Sequence, residues 1–123
     1  MIDHRRDSGQ ATVELALCLP VVTIIVPVMT QLCVIGIHTV ALVNTTRDVT
    51  RAAAIGVDPV MAARQAARRL APDPVQVDVR VDDGWVTVRL TESVPTDLPI
   101  VGAWFGDIIV HEELTMMLEP ASG

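Results

Sequence analysis

Residues 9–43 read GQATVELALCLPVVTIIVPVMTQLCVIGIHTVALV, and this apolar stretch decides the fold. From residue 15 to residue 46 the chain contains no Asp, Glu, Lys or Arg. A helix needs about 20 apolar residues to cross the hydrocarbon core of a bilayer, so the run predicts a transmembrane helix. The run is longer than the apolar region of an ordinary cleaved signal peptide, about 7–15 residues, and we therefore expect it to be retained as an anchor.

Basic residues flank the apolar run on both sides. Arg5 and Arg6 lie just before it and favour a cytoplasmic N-terminus, whereas Arg47 and Arg51 lie just beyond it and weaken that preference. A short basic head followed by a long apolar segment still indicates an N-terminus inside and a C-terminal part outside. We therefore expect a single-pass protein of the cell membrane with an extracytoplasmic domain.

Two prolines and two cysteines lie inside the run. Pro20 and Pro27 each remove one backbone donor, so we expect them to kink or loosen the helix. Cys18 and Cys33 would lie about 22 Å apart on a continuous helix at about 1.5 Å per residue, whereas a disulfide needs Cα atoms about 5.5 Å apart. Both cysteines are therefore expected to be unpaired.

The chain shows no pattern that indicates catalysis. His4, His38 and His111 are far apart in sequence, and none has a partner at the spacing of a zinc site. We find no glycine-rich phosphate loop and no nucleophile beside a base. The formal net charge of −6 argues against nucleic-acid binding, which needs a clustered basic face. We expect no enzymatic activity, no cofactor, no metal site and no nucleic-acid partner.

Helical patterns follow the apolar run. The next residues suit an amphipathic continuation of the same helix, which we expect to end at Gly56. Asp58 and Pro59 form a start signal, with Asp as the N-cap and Pro as the first helical residue. We expect this second helix to end at about Ala71, because Pro72 follows.

Two alternating apolar segments then predict a β-hairpin over residues 75–92. Asp83 and Gly84 have the residue types of a two-residue type I′ loop. This turn would place Arg89 opposite Asp78 on one face of the sheet. The pairs that it predicts on the other face are Val81 with Val86, Val79 with Val88, and Val77 with Leu90.

A third strand is needed because a two-stranded hairpin is not stable alone. The candidate is residues 108–118, in which Glu112 interrupts the apolar face and predicts a bulge near His111–Glu113. The preceding loop contains Trp104 and Phe105, which either fold over a sheet edge or form a subunit or membrane contact. The expected fold is α+β, with a long N-terminal transmembrane helix continuing into a small domain with a second helix and a three-stranded antiparallel sheet.

Glu14 is the only acid within the apolar pattern. If the chain were cut after Gly9, the new α-amine of Gln10 and the Glu14 carboxylate would lie at positions i and i+4 on one helix face. Cleavage would thus create a cation within reach of Glu14, in the same chain or in a neighbouring one. The alternative is an interfacial Glu14 whose carboxylate reaches the lipid headgroups.

This arrangement resembles that of type IV prepilins, and the closest resemblance is to the TadE-like minor pilins of the tight-adherence (Flp) pilus system. The residues that carry it are the basic pair Arg5 and Arg6, then Gly9, Gln10 and Glu14 before a long apolar helix. The segments RDVTRAAAIG and PIVGAWFGDIIVHEELTMMLEP are similar to the helix exit and the final loop and strand of that family. In this chain residue 10 is Gln, whereas many pilins have an aromatic or aliphatic residue at the corresponding position.

The resemblance implies a non-enzymatic minor pilin or pilus-assembly component. Its implied partners are a prepilin peptidase that cuts after Gly9, other pilin subunits and the Tad assembly proteins. Glu14 would then set the axial register between subunits by pairing with the amine of a neighbouring Gln10. The rival interpretation is an unprocessed signal-anchored envelope protein that keeps its head and uses its extracytoplasmic domain to bind a partner. A third interpretation is a membrane-bound binding module that uses Trp104 and Phe105.

The expected organisation has four parts. Residues 1–9 form a leader, residues 10–46 a transmembrane, pilin-type helix, residues 47–71 a helical region, and residues 72–123 the hairpin and the C-terminal strand.

Overall fold

A computed structural model describes the backbone of residues 5–96 and 106–119, and the side chains of these ranges from residue 9 onward. The chain forms helix α1 (Arg5–Ile55), helix α2 (Pro59–Leu70) and strands β1 (Gln76–Asp82), β2 (Trp85–Val94) and β3 (Ile108–Met117). The strands form one antiparallel sheet in the order β1-β2-β3. The predicted α+β fold is therefore confirmed.

Helix α1 is 51 residues long, or roughly 75 Å at 1.5 Å per residue. It begins at Arg5, five residues before the start that we expected at Gln10. The helix continues without interruption past Pro20 and Pro27. Bending at these two prolines remains a prediction.

The junction between the helices follows the expected capping pattern in all but one respect. The Asp58 carboxylate accepts a hydrogen bond from the backbone N–H of Met61 at 3.0 Å, and Pro59 is the first residue of α2. Helix α1 ends at Ile55 and Gly56 follows it, as expected, but the φ of Gly56 is not in the left-handed region that such a cap often adopts. The reason for glycine is close packing, because a Cβ there would lie 2.7 Å from the Ala62 Cβ.

The hairpin has the predicted register. Asp83 and Gly84 form its turn with φ values of 45° and 79°, as a type I′ loop requires. The pairs of Cα partners include Val81 with Val86, Val79 with Val88, Val77 with Leu90, and Asp78 with Arg89.

Two details of the sheet differ from expectation. The Arg89 guanidinium does not pair with Asp78 but lies 2.6 Å from the Glu113 carboxylate on β3, because the central strand offers it neighbours on both sides. The bulge expected near Glu112 is absent, and β2 and β3 pair in continuous register. Glu112 needs no bulge because β3 is an edge strand, where a half-buried side chain can reach water from the side.

The core lies between the sheet and the C-terminal half of α1 together with α2. It contains no described aromatic residue and is built from small and branched aliphatic side chains. The buried apolar residues that form it are Leu42, Val49, Ala53, Ala54, Ala63, Ala67, Val86, Val88 and Leu90. The domain core therefore depends on residues from the long apolar helix itself.

Candidate membrane and assembly helix

Helix α1 has two parts that differ in their surroundings. The side chains of residues 9–26 are all exposed, although most of them are apolar. From Pro27 onward, one face of the helix becomes half-buried and then buried, at the spacing of a single helical face. The residues of this face include Pro27, Gln31, Val34, Ile35, His38, Leu42, Thr45, Thr46, Val49, Thr50 and Ala53.

The exposed part of α1 is suited to a lipid environment. Its large apolar side chains lack packing partners within the described chain; Leu15 and Leu17, for example, are 67% and 70% exposed. Of the helices that the structure describes, α1 is the one long and apolar enough to cross a membrane, and an 18-residue window within it has a mean hydropathy of 2.3. A single N-terminal membrane anchor is therefore consistent with the fold.

Polar side chains in this part are accommodated within the helix. The hydroxyl groups of Thr23 and Thr30 donate hydrogen bonds to the carbonyl oxygens of Leu19 and Val26, at 2.7 and 3.0 Å. Such bonds satisfy a hydroxyl group where no water is present. Cys18 and Cys33 are free, as expected from their separation in the sequence, and both are exposed.

Hydrogen bonds show where the domain contacts α1. The Gln31 side-chain amide donates to the carbonyl oxygen of Pro95 at 3.2 Å, and the Glu119 N–H donates to the carbonyl oxygen of Ala54 at 3.0 Å. The domain therefore lies along α1 from about residue 31 to its end. The hydropathy pattern alone assigns residues 31–46 to the membrane, but one face of this segment packs against the domain.

The residues of the predicted processing and register motif all lie on the exposed N-terminal part of α1. A Cβ on Gly9 would meet no atom within 4 Å. Gln10 and Glu14 are exposed, one helical turn apart. No ion pair among the described residues involves Glu14. The motif is thus accessible to another protein, whereas Trp104 and Phe105, the predicted contact residues, lie outside the described part of the chain.

The structure also brings together residues that sequence reasoning did not connect. His38 Nδ1 lies 2.7 Å from Glu92 Oε1, and Glu92 is only 4% exposed. Two signals were present in the sequence, since His38 interrupts the apolar run and Glu92 falls on the apolar face of β2. Neither signal identifies the other residue as its partner, because the contact depends on how β2 lies along α1.

Comparison with known families supports the interpretation of the helix. The family model described as TadE-like protein matches residues 9–54, all of which lie within α1. No curated protein and no solved structure matches the chain. The match covers the helix and not the sheet, and together with the apolar segment it fits a membrane-anchored, pilus-associated protein. Over residues 9–54, which form nearly the whole of its long helix, the chain is therefore similar to TadE-like proteins.

Proposed function

We propose that this protein is a non-enzymatic minor pilin or assembly component of a tight-adherence pilus. The observation that carries the proposal is the coincidence of two features on one segment. The TadE-like match begins at residue 9, where an apolar helix surface begins that the described domain leaves uncovered. A pilin-type helix needs such a surface, first for lipid and then for neighbouring subunits.

The exposed part of α1 has the length of one membrane crossing. About 20 residues lie between Gln10 and Gln31, whose side chain makes a hydrogen bond to the domain, and this corresponds to about 30 Å of helix. In the proposed arrangement, these residues span the bilayer, Arg5 and Arg6 remain in the cytoplasm, and the domain rests on the extracytoplasmic surface. The C-terminal half of α1 then belongs to the domain.

Processing by a prepilin peptidase would occur between Gly9 and Gln10. The exposure of Gly9 and the absence of a side chain there favour close approach of the peptidase to the backbone. Hydrolysis of this bond would leave an α-ammonium group on Gln10, one turn from Glu14. In an assembled pilus, the Gln10 ammonium group of one subunit would pair with Glu14 of another, and other pilin subunits and Tad proteins would be the partners.

The substitution Gly9→Val tests the processing step. In cells that contain the cognate prepilin peptidase, we expect the wild-type protein to begin at Gln10 and the variant to keep the residues before it. N-terminal sequencing and intact mass measure this difference. Gly36→Val is the matched control, because a Cβ at either glycine meets nothing within 4 Å and both positions lie in α1. We expect this control to be processed normally.

The same measurement separates the proposal from its rival. A wild-type protein that keeps its head in such cells would be an unprocessed, signal-anchored envelope protein. Normal shortening of Gly9→Val would also refute cleavage at this bond.

A further inference from the structure

Three potential metal ligands from separate elements meet beside the sheet. His38 belongs to α1, Asp73 lies between α2 and β1, and Glu92 belongs to β2. One ligand atom from each residue lies within 4.8 Å of the corresponding atoms of the other two. The cluster lies at the end of β2 that is near Gln31, so it is on the side of the domain closest to the exposed part of α1.

Among the described residues, neither carboxylate of this cluster forms an ion pair with an arginine. Glu92 is 4% exposed, and its ion-pair partner among the described residues is His38. Asp73 forms no ion pair in the described part of the chain, although it lines a surface depression together with Arg64 and Arg68. Neighbouring carboxylates repel one another, and the repulsion is stronger where protein excludes water. A bound cation would remove this repulsion.

We propose that His38, Asp73 and Glu92 bind one divalent transition-metal ion of the zinc class. One imidazole nitrogen and two carboxylate oxygens suit Zn²⁺, whereas Ca²⁺ and Mg²⁺ prefer ligand sets made of oxygen atoms. Among the divalent ions that accept such a set, Zn²⁺ binds more tightly than Mn²⁺. Water would complete the coordination at the exposed side of Asp73.

The observed distances are close to those of such a site. Ligand bonds of about 2.0–2.2 Å in a tetrahedral site place neighbouring donor atoms about 3.3–3.6 Å apart. His38 and Glu92, at 2.7 Å, need to separate slightly, and Asp73 needs to move inward from its separation of up to 4.8 Å. The helix and the strand hold His38 and Glu92, whereas Asp73 is exposed in a connecting segment that can make this adjustment.

The ion would join the sheet and the α2–β1 connection to α1. It would do so on the membrane-facing side of the domain, where Gln31 to Pro95 is the hydrogen bond nearest to the exposed part of the helix. A metal ion that binds the folded protein but not the unfolded protein stabilises the folded state by mass action. The site would therefore fix the position of the domain along its helix.

Zinc titration of the purified full chain in detergent, without an affinity tag and after chelation, tests this site. We expect isothermal titration calorimetry to show one Zn²⁺ per chain and Co²⁺ to give the visible absorption of a low-symmetry site. Asp73→Asn should weaken Zn²⁺ binding by at least about tenfold, because a charged ligand is lost. Asp83→Asn is the matched control, because Asn suits the hairpin turn as well as Asp.

The variants also show whether a loss of Zn²⁺ binding comes from a change in the fold and not from the loss of a ligand. Asp73 is exposed, so Asp73→Asn should keep the metal-free Tm of the wild type. Zn²⁺ should raise the Tm of the wild type and of Asp83→Asn but not that of Asp73→Asn. The proposal is wrong if the wild type binds no stoichiometric Zn²⁺, if Asp73→Asn binds like the wild type, or if His111→Gln removes the binding instead.

Discussion

At the scale of single residues, two acidic residues lie in apolar surroundings but differ in their exposure and in their partners. Glu92 is buried on the domain side of β2 and has His38 as its partner. Glu14 lies on the exposed apolar helix and forms no ion pair with a described residue. A carboxylate at the centre of a bilayer costs about 2.5–3.5 kcal/mol even on lenient scales, so Glu14 requires either the interface or a cationic partner.

Replacement of Glu14 distinguishes these two possibilities. Glu14→Ala should leave cleavage after Gly9 intact, because the scissile bond lies one turn away, but should reduce incorporation into surface pili severalfold. The amount of this protein in sheared pilus fractions, relative to its amount in the membrane, measures the effect. Asp48→Ala is a suitable control, since Asp48 is also an exposed acid of α1 but lies beside the domain. Unchanged pilus fractions for Glu14→Ala would leave Glu14 with only an interfacial role.

At the scale of elements, the junction between α1 and α2 is closely packed around Gly56. Of the described glycines, Gly56 leaves the least room for an added Cβ. Besides the Ala62 side chain, a Cβ on Gly56 would meet the carbonyl oxygen of Ala52 at 3.1 Å. One of these atoms belongs to α1 and the other to α2, so both helices would need to shift. The two helices contribute Ala53, Ala54, Ala63 and Ala67 to one core, which transmits such a shift to the sheet.

Gly56→Ala should therefore destabilise the domain by about 1–3 kcal/mol, the usual cost of overpacking. Thermal unfolding of the purified protein in detergent should show a Tm lower by several degrees. Gly36→Ala provides the comparison, because its added Cβ meets nothing within 4 Å. Equal Tm values for the two variants would show that the joint tolerates a methyl group.

At the scale of the whole molecule, one helix serves two environments. Its first part is exposed and apolar, and its second part supplies Leu42, Val49 and Ala53 to the domain core. The sheet and α2 together do not enclose that core without α1. The boundary of the folded domain therefore lies inside the apolar run and not at its end.

Truncation tests this boundary. A chain that starts at residue 31 should fold as a soluble domain, because it keeps the described core and loses most of the uncovered apolar surface. A chain that starts at residue 57 should not fold, since it lacks the α1 part of the core. Size-exclusion chromatography and amide NMR dispersion report both outcomes. Aggregation of the longer chain, or folding of the shorter one, would contradict the proposed boundary.

The sequence by itself determined those features that depend on neighbours in the chain. The Asp58–Pro59 helix start and the Asp83–Gly84 turn were predicted because a cap or a turn is set by a few consecutive residues. The turn then determined the whole hairpin register, because side chains alternate strictly along a strand. The length of the apolar run and the motif from Gly9 to Glu14 likewise sufficed to recognise the TadE-like segment.

Only the tertiary structure decided which groups meet across elements. Arg89 pairs with Glu113 and not with Asp78, because β3 lies on the other side of the central strand. Apolar composition does not distinguish a lipid-facing helix surface from a core-facing one, so the division of α1 near residue 31 was not predictable. The meeting of His38, Asp73 and Glu92 follows from the packing of β2 along α1, and contacts between residues so distant in sequence leave no periodic pattern.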